Sequence, residues 1–463
     1  MKKASIVSIG NELLSGQIVD TNAAYLSERL LSISIPVVSS YTVGDNLDPI
    51  VRALHLASED GDIVVISGGL GTTDDDLTRQ ALAKFLGGEL QLQSELLEKI
   101  QKSVARPSWP CVFTGWKPVP QMPKRDKIQA YMPEGAKALE NKVGIAAGIK
   151  AEYKGKLFFA LPGVPAEMKE MFEKQVLPPL LSSTRRRGGQ AIVVRKLKCF
   201  GASESAIADL MERASSPLEH TAKMAVPLMK RGRNPLINCT AQHGVITLYI
   251  VATAKDKNTA EQMAEKDEKM LRKCLGELVY GVGEQTLADV VGEELVRQKK
   301  TIAVAESCTG GALAKFITDV AGASRYFTYG WVTYSDKAKT SELGVSKDLI
   351  EKYGAVSEQA AKAMAEGARK RAKADFAIGI TGIAGPSGGN EQKPVGLVYI
   401  SVSADNYTEI KRFIFPGNRQ LIQFRAALTG LNMLRLSLTN CLLAEDTAMN
   451  EDGSSHSGTI GEG

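Results

Sequence analysis

Four segments of the 463-residue chain combine glycines with side chains that can do chemistry. They are ISGGLGTTDDDLT at 66–78, AESCTGG at 305–311, WVTYSDKAKT at 331–340 and ITGIAGPSGG at 380–389. A short apolar run precedes each of them, which is typical of a β-strand that ends in a turn. Glycines at such turns let backbone N–H groups approach a ligand closely, so these turns are candidate binding or catalytic loops.

The turn AESCTGG places a hydroxyl and a thiol, those of Ser307 and Cys308, between a predicted strand and a predicted helix. Nucleophiles are exposed at turns of this kind, and neighbouring backbone N–H groups can stabilise an oxyanion. A serine nucleophile needs a base. Because there is no histidine between Gly244 and Ser455, a Ser-His-Asp triad within this region is excluded. The remaining local base is a lysine with a lowered pKa.

Lys337 and Lys339 follow the next predicted strand, together with Tyr334. A lysine acts as a base only when it is neutral, which requires desolvation or a nearby cation. Taken alone, each lysine fits an exposed surface cation better. Cys308 is an alternative nucleophile, because cysteine is intrinsically more nucleophilic than serine. Two glycine turns in one predicted domain favour a nucleotide-sized ligand.

The segment at 66–78 has the composition of a phosphate-binding loop. Gly68, Gly69 and Gly71 can bring backbone N–H groups to an anion, and the helix that follows adds a favourable dipole. The three aspartates at 74–76 are hard oxygen ligands that could hold a divalent ion against a pyrophosphate. The alternative is an acidic helix N-terminus that only complements the helix dipole. The spacing matches neither GxGxxG nor a P-loop, so both interpretations stay open.

Composition restricts the possible classes of protein. The chain carries 57 Lys and Arg against 52 Asp and Glu, and a net charge of +5 is too dilute to indicate a nucleic-acid-binding surface. No apolar run approaches the roughly 20 residues of a membrane-spanning helix, and the N-terminus lacks a secretory apolar stretch. Six cysteines stand singly without a CxxC pair, which argues against a zinc site or a disulfide scaffold. We expect a cytoplasmic protein with no membrane anchor and no nucleic-acid partner.

Alternation of β-branched runs with helical patterns predicts an α/β protein of several domains. We expect an α/β N-terminal domain over 1–180, a small α+β middle domain over 181–282 and an α/β C-terminal domain over 283–443. The last residues, 444–463, contain five acids, no Lys or Arg, and many Gly and Ser. A disordered acidic tail is expected there.

The chain up to about residue 440 resembles the CinA family of competence/damage-inducible proteins. Eight separated motifs occur in the expected order: GNELLSGQIVDTN, SGGLGTTDDDLT, PEGAKALENKVGIAAG, LPGVPAEM, AESCTGG, VTYSDKAK, GAVSEQ and TGIAGPSGG. Members of this family join an N-terminal molybdopterin-binding-like domain to a C-terminal nicotinamide-nucleotide amidohydrolase domain. The resemblance therefore implies a three-layer α/β fold for the N-terminal domain and an α/β amidohydrolase fold for the C-terminal one.

For the C-terminal domain, the resemblance implies hydrolysis of nicotinamide mononucleotide to nicotinate mononucleotide and ammonia, a step of pyridine-nucleotide salvage. It implies Ser307 as the nucleophile, Lys339 as its base, and Tyr334 as a supporting hydroxyl that orients lysine or substrate. The implied substrate-binding residues are Glu306, Thr309, Gly310, Gly311, Thr381, Gly382, Ala384 and Gly385, with N–H groups near 309–311 holding the oxyanion. This reaction is expected to need no cofactor.

For the N-terminal domain, the resemblance implies metal-dependent cleavage of ADP-ribose to AMP and ribose 5-phosphate. The implied ligand-binding residues are Glu12, Gly68, Gly69, Gly71, Asp75 and Asp76, with Asp76 as a ligand of the divalent metal ion. The family also implies a homodimer. Two hypotheses follow: a bifunctional hydrolase, or a competence- or damage-linked interaction protein whose N-terminal pocket binds a nucleotide or pterin without turnover.

Overall fold

The structure is a computed structural model that describes residues 2–104, 124–185, 190–215 and 232–452. The chain divides into two compact units, one of Met1–Val194 with Ala252–Met263 and one of Arg195–Val251 with Ala264–Gly463. Within the described ranges, the helices are all too short or too polar to cross a membrane.

The N-terminal part of the first unit alternates strands with helices along the chain. Its elements are β1 (Ala4–Ile9), α1 (Asn11–Leu14), α2 (Thr21–Ser32), β2 (Val37–Val43), α3 (Leu47–Asp60), β3 (Ile63–Ser67), α4 (Thr78–Leu86), β4 (Leu90–Leu92), α5 (Ser94–Val104), β5 (Tyr131–Pro133), β6 (Lys137–Leu139), β7 (Gly148–Tyr153), β8 (Lys156–Leu161), α6 (Pro165–Met171) and α7 (Leu177–Arg185). Six strands form one sheet of order β2-β1-β3-β8-β7-β6, parallel from β2 to β8 and antiparallel at β7 and β6.

Alternate residues of the parallel strands face two helical layers. Val64 and Ile66 of β3 pack with α3 and α4, whereas Ile63 and Val65 pack with α2 and α6. Burial on both faces requires continuous apolar runs, which is the pattern of these strands in the sequence. Because β1, β3 and β8 run in the same direction, the loops that follow them meet at one edge of the sheet.

The middle region is a smaller α+β arrangement, as expected from its sequence. Its elements are β9 (Ala191–Phe200), α8 (Glu204–Ser215), β10 (Leu236–Gln242), β11 (Val245–Ala254), α9 (Lys257–Leu275) and β12 (Val279–Val282). The four strands form a sheet of order β10-β11-β9-β12. The pairs β10 with β11 and β12 with β9 are antiparallel.

The C-terminal region returns to an α/β alternation. Its elements are α10 (Leu287–Arg297), β13 (Ile302–Glu306), α11 (Ala312–Thr318), β14 (Phe327–Val332), α12 (Asp336–Leu343), α13 (Lys347–Tyr353), α14 (Glu358–Ala372), β15 (Phe376–Gly382), β16 (Leu397–Ser403), β17 (Thr408–Ile414) and α15 (Arg419–Asp452). The sheet has the order β14-β13-β15-β16-β17. Its first three strands are parallel, and β16 and β17 are antiparallel.

This second sheet also lies between two helical layers. Ile302 and Val304 of β13 pack in one apolar cluster with α10, α11 and α15, whereas Ala303 and Ala305 face α14. The small alanine side chains allow α14 to approach the sheet closely. Since β13, β14 and β15 are parallel, the turns after them lie at a common edge, and these are the turns that carry the candidate residues.

The final helix contradicts part of the expectation for the C-terminal tail. Helix α15 continues to Asp452, so residues 444–452 are helical rather than disordered, and residues 453–463 lie outside the described ranges. The sequence AEDTAMNED at 444–452 contains Ala, Met and Glu, which favour helix, and it extends a helix already formed by packing. The expectation weighed only the acids and the polar residues that follow.

The loop after β3 depends on a glycine whose place no other residue can take without strain. Gly68 has φ +104°, and a Cβ there would collide with the carbonyl oxygen of Ile9 on β1. Gly87, which caps α4, has φ +77° but no atom within 4 Å of its Cβ position. Gly87 is therefore a matched control for backbone strain alone.

We predict that Gly68→Ala lowers the free energy of unfolding by about 3 kcal/mol or more. The strain of the positive φ and the collision of the new Cβ with the Ile9 carbonyl oxygen both raise the energy of the folded state. Gly87→Ala should cost only about 1–2 kcal/mol, the penalty of left-handed backbone for a residue with a Cβ. Urea or thermal denaturation of both variants measures the difference. Equal losses would contradict the close approach of this loop to β1.

Candidate active site

The catalytic candidates of the C-terminal region lie where three parallel strands end. Ser307 follows β13, and Thr333 and Tyr334 follow β14. Lys339 lies in α12, whose first turn is capped by the side chain of Ser335. The cap sets where the helix begins and therefore where Lys339 projects. The fold in this way brings together two residues that are 32 positions apart.

The central contact of the site joins Lys339 to Ser307. The Nζ atom of Lys339 lies 3.1 Å from Oγ of Ser307, 2.9 Å from the carbonyl oxygen of Thr333 and 3.5 Å from that of Tyr334. Lys339 is only 1% exposed. Burial lowers the pKa of the Lys339 amine, and the nearby carboxylate of Asp336 opposes this effect. Within the described ranges, Lys339 forms no ion pair that would hold it in the charged form.

The two carbonyl oxygens orient the neutral form of Lys339. A neutral amine has two N–H donors and one lone pair. When Thr333 and Tyr334 accept the two N–H groups, the lone pair is left for the third neighbour. That neighbour is Ser307, whose hydroxyl then donates to the amine. A general base next to a nucleophile has this arrangement.

Cys308 is placed differently from its neighbour. Its side chain belongs to the apolar cluster between the sheet and α10, α11 and α15, and the residue is 5% exposed. Burial raises the pKa of the Cys308 thiol to about 12, so the thiol stays protonated near neutral pH. A protonated, buried thiol is a poor nucleophile. The geometry therefore favours Ser307 over the alternative nucleophile.

Glu306 has a structural position rather than a place against a ligand. The side chain is fully buried, and its carboxylate accepts hydrogen bonds from the N–H groups of Gly311 (3.0 Å), Leu313 (3.0 Å) and Ala314 (2.8 Å). These amides belong to the N-terminus of α11, where a negative charge is favourable. Glu306 thus holds the AESCTGG turn in shape, and its contact with substrate stays a prediction.

The backbone of this turn also corrects the expected oxyanion donors. The N–H of Gly310 donates to the carbonyl oxygen of Ser307 (3.1 Å), and the N–H of Gly311 donates to Glu306. Neither amide is available to a ligand. In the part of the chain that the structure describes, the N–H of Thr309 has no such partner, and its buried Oγ1 is also unpaired. The N–H of Cys308 likewise has no hydrogen bond to a described residue, so the amides of Cys308 and Thr309 are the candidate oxyanion donors of this turn.

The turn after β15 contains four further predicted residues. They are Thr381, Gly382, Ala384 and Gly385. The hydroxyl of Thr381 is buried and donates to the carbonyl oxygen of Ala355 (2.7 Å), so it braces the turn. The carbonyl oxygen of Gly385 accepts a hydrogen bond from Nη1 of Arg419 (3.0 Å). This contact ties the turn to the start of α15.

Arg419 is a site residue that the sequence analysis missed. Its Nη2 donates to the hydroxyl of Tyr334 (2.7 Å), while its Nη1 bonds Gly385, so the guanidinium joins two of the turns. Tyr334 is 58% exposed, and its contact with Lys339 is made by its carbonyl oxygen. Among the described residues the tyrosine hydroxyl has no hydrogen bond to the lysine, so of its two expected roles the orientation of substrate stays a prediction. No motif marked Arg419, because it is a single basic residue at the start of a helix.

In the N-terminal unit, Asp76 closes the SGGLG loop. Its Oδ1 accepts the N–H of Gly71 (2.8 Å), and its Oδ2 accepts the N–H (2.8 Å) and the hydroxyl of Thr73. Both carboxylate oxygens are thus committed within the loop. Among the residues that the structure describes, no three His, Cys, Asp or Glu side chains are grouped to hold a metal ion. The residues do not fit the expected metal site with Asp76 as a ligand.

Glu12 and Asp75 each lie near Asp45, the residue that shortly follows β2. Burial raises the pKa of Asp45, which follows β2, and the nearby carboxylates of Glu12, Asp75 and Asp76 raise it further. The structure thus gathers acids from the loops after β1, β2 and β3. Asp75 is exposed, and a hydrogen bond from Thr73 lowers the pKa of its carboxyl.

Arg79 lies fully buried beneath the SGGLG loop. Its Nη2 donates to the carbonyl oxygen of Leu70 (2.8 Å) and its Nη1 to that of Gly71 (3.3 Å), while Nε has no partner. Burial lowers the pKa of Arg79 to about 10, so it remains charged at neutral pH. The nearby Asp76 carboxylate favours the charged form and offsets part of the cost of burying this cation. The sequence did not reveal Arg79, because it follows the aspartates as an ordinary helical residue.

Three family models match consecutive parts of the chain. The probable molybdopterin binding domain matches residues 5–182, the damage-inducible protein CinA KH domain matches 194–281, and the CinA C-terminal domain matches 284–438. The fold is therefore mixed α/β, with a molybdopterin-biosynthesis-like N-terminal domain, a KH-like middle domain and a CinA C-terminal domain.

Known proteins are similar along nearly the whole chain. The "Putative competence-damage inducible protein" of Caldicellulosiruptor saccharolyticus is 41% identical over 437 residues, which cover 94% of this chain and 99% of the relative. The "CinA-like protein" of Kosmotoga olearia is 39% identical over 436 residues, 94% of this chain and 99% of the relative. The crystal structure of competence/damage inducible protein CihA from Agrobacterium tumefaciens is 39% identical, covers 33% of this chain and 93% of that chain, and has a TM-score of 0.32. The chain belongs to the CinA family.

The lowered pKa of Lys339 predicts a measurable cost of folding. Because the folded chain favours the neutral amine below the ordinary pKa of 10.5, wild-type stability rises as pH rises toward that value. We predict that Lys339→Met raises the free energy of unfolding near pH 7, and with it the Tm. The gain should shrink near pH 9.5, as differential scanning calorimetry at both pH values will measure.

Lys337→Met is the matched control for this substitution, because Lys337 is exposed two positions earlier in α12. Its Tm should stay close to that of the wild type at both pH values. A loss of stability in Lys339→Met, or a gain that does not change with pH, would contradict a desolvated amine at this position.

Proposed function

We propose that the C-terminal domain hydrolyses the carboxamide of nicotinamide mononucleotide to nicotinate mononucleotide and ammonia. The observation that carries the proposal is the buried amine of Lys339, 3.1 Å from the Ser307 hydroxyl. A nucleophile paired with a neutral base suits acyl transfer from an amide. The identity of the amide follows from the resemblance to amidohydrolases of this family.

The reaction is an acyl transfer in two halves. Lys339 accepts the proton of Ser307 as Oγ attacks the carboxamide carbon, and the oxyanion forms beside the N–H of Thr309. Lys339 then gives the proton to the leaving nitrogen, so that ammonia departs and an ester on Ser307 remains. A water molecule, deprotonated by the same amine, attacks the ester and releases the carboxylate. Serine and lysine are restored at the end of the cycle.

Arg419 supports a phosphorylated substrate. Its guanidinium is bonded only to the Tyr334 hydroxyl and the Gly385 carbonyl oxygen, which are both neutral. Within the described ranges it forms no ion pair, so its charge is available to an anion. Arginine is well suited to bind phosphate through two parallel hydrogen bonds. We assign Arg419 to the phosphate of the nucleotide.

A second function, binding of ADP-ribose by the N-terminal loop, is supported by Arg79. The buried cation holds the Gly71 carbonyl oxygen and so orders the glycine loop, whose backbone N–H groups are the donors that a pyrophosphate would need. Cleavage of ADP-ribose stays a prediction, because Asp76 is committed to the loop and we derive no metal-dependent step. Binding and turnover are therefore separate questions for this domain.

The nucleophile is tested by substituting Ser307 and Cys308 separately. We predict that Ser307→Ala reduces ammonia release from nicotinamide mononucleotide by at least about a thousandfold, because no other hydroxyl lies against Lys339 in the described site. Cys308→Ala should keep the rate within about fivefold, since the thiol is protonated and packed in the core. Coupled assay of ammonia with purified full-length protein measures both rates.

Nicotinamide riboside, which lacks the phosphate, is the matched substrate control. Its kcat/KM should be lower than that of nicotinamide mononucleotide in the wild-type protein, and Arg419→Gln should lessen the preference for the phosphorylated compound.

Loss of activity only in Cys308→Ala would overturn the assignment of Ser307 as the nucleophile.

The N-terminal loop is tested by comparing adjacent aspartates. We predict that Asp76→Ala weakens binding of ADP-ribose at least tenfold, because the Gly71 and Thr73 amides lose the carboxylate that orders them. Asp75→Ala, at an exposed carboxylate, should change the affinity less than threefold. Isothermal titration with and without magnesium measures both. Strong loss in Asp75→Ala alone, and only with magnesium, would instead identify Asp75 as a metal ligand.

A further inference from the structure

A cavity of about 820 Å³ lies in the second unit, away from the catalytic pair. It is bounded by residues of the KH-like region at 200–203 and 275–278, by β17 and the residues after it, and by the middle of α15. Neither Ser307 nor Lys339 lines it. The volume is in the range of small-molecule sites, which are mostly apolar with a few well-placed polar groups.

A buried cation lies at the wall of this cavity. Arg435 is 9% exposed, and its guanidinium bonds the side-chain oxygen of Asn432 (3.0 Å) and the carbonyl oxygen of Glu277 (2.6 Å). Both acceptors are neutral, and the described residues offer Arg435 no carboxylate within ion-pair distance. Burial lowers the pKa of Arg435, while the carboxylate of Glu277 raises it. A guanidinium without an ion-pair partner is costly to bury, and an anion in the cavity would offset that cost further than Glu277 does.

A second arginine adds to the positive charge. Arg425, also on α15, donates to the carbonyl oxygen of Pro416 (2.7 Å) and has no ion pair within the described ranges. Lys411 lines the cavity as well, but Glu409 neutralises it at 2.7 Å. The two arginines are therefore the cations of this wall that remain available to an anion.

The cavity also has an aromatic wall. The rings of Phe413 and Phe415 on and after β17 are stacked, with centroids 5.3 Å apart and planes 11° from parallel, and both residues line the cavity. A planar heterocycle can extend such a stack by lying on the outer face of one of the two rings. The same cavity thus contains arginines that can bind a phosphate and an aromatic side chain on which a planar ring can stack.

We propose that this cavity binds a nucleoside monophosphate, with its phosphate held by Arg425 and Arg435 and its base against Phe413 and Phe415. The residues that line it do not include Ser307, Lys339 or Arg419. It needs the KH-like region, because residues 200–203 and 275–278 close one side of it. The middle domain thereby acquires a role in ligand binding that its sequence did not reveal.

Hydrogen–deuterium exchange of the full-length protein locates the binding. AMP is the probe. Adenosine, which lacks the phosphate, and inorganic phosphate, which lacks the nucleoside, are the controls. We expect AMP to protect peptides that cover 200–203 and 425–436, with at least tenfold weaker protection by adenosine or phosphate. Protection by AMP confined to 66–78 and 305–311 would overturn the proposal. Equal protection by inorganic phosphate would overturn the assignment of a nucleotide.

Three variants test the residues, with Kd taken from titrated protection of the 425–436 peptides. Arg425→Gln should raise the Kd for AMP at least tenfold. Arg412→Gln, at an exposed residue of β17 that does not line the cavity, should leave it unchanged. Glu277→Gln removes the carboxylate near Arg435 and should lower the Kd about twofold to threefold, a gain that a damaged fold would not produce. An unchanged Kd in Arg425→Gln would overturn the proposal.

Discussion

The C-terminal site depends on one desolvated amine. Lys339 is buried without an ion pair in the described structure, and water is replaced around it by two carbonyl oxygens and one hydroxyl. Desolvation disfavours the ammonium form, and a neutral amine beside a hydroxyl is a base. The surrounding elements position Lys339 and its partners. Ser307 follows the end of β13, Thr333 follows the end of β14, and the side chain of Ser335 caps α12, the helix that carries Lys339.

Buried charges shape both candidate loops, but in opposite ways. Glu306 under the AESCTGG turn is fully satisfied by three amides, so its charge is used to hold the turn and helix α11 in place. Arg79 under the SGGLG loop is bonded to two carbonyl oxygens and keeps an unpaired Nε, and the nearby Asp76 carboxylate offsets part of its charge. The hydrogen-bonding capacity of the first charge is filled, whereas that of the second is not. Arg435 repeats the second pattern in the cavity beside the KH-like region.

Much of the architecture was predictable because it follows from local patterns. Apolar runs buried on both faces marked the parallel strands, and glycines after them marked the turns at the sheet edges. The family motifs added the order of the domains and the pairing of Ser307 with Lys339. Residues 444–452 were expected to be disordered because they are polar, but they continue a long helix that begins at Arg419. For Tyr334 the sequence drew attention to the side-chain hydroxyl, whereas the contact with Lys339 is made by the backbone carbonyl oxygen.

The residues alone determined that the base could not be a histidine of this region, and that a lysine of the YSDKAK segment was the candidate. They could not choose between Lys337 and Lys339. Positions two apart on a helix face in nearly opposite directions, so only one of these side chains can be buried, and the tertiary structure buries Lys339. Arg419, Arg79 and Glu306 were likewise decided only in three dimensions. The roles of Arg79 and Glu306 depend on backbone carbonyl oxygens and amides, which leave no mark on the sequence, and that of Arg419 depends on two turns that are far from it along the chain.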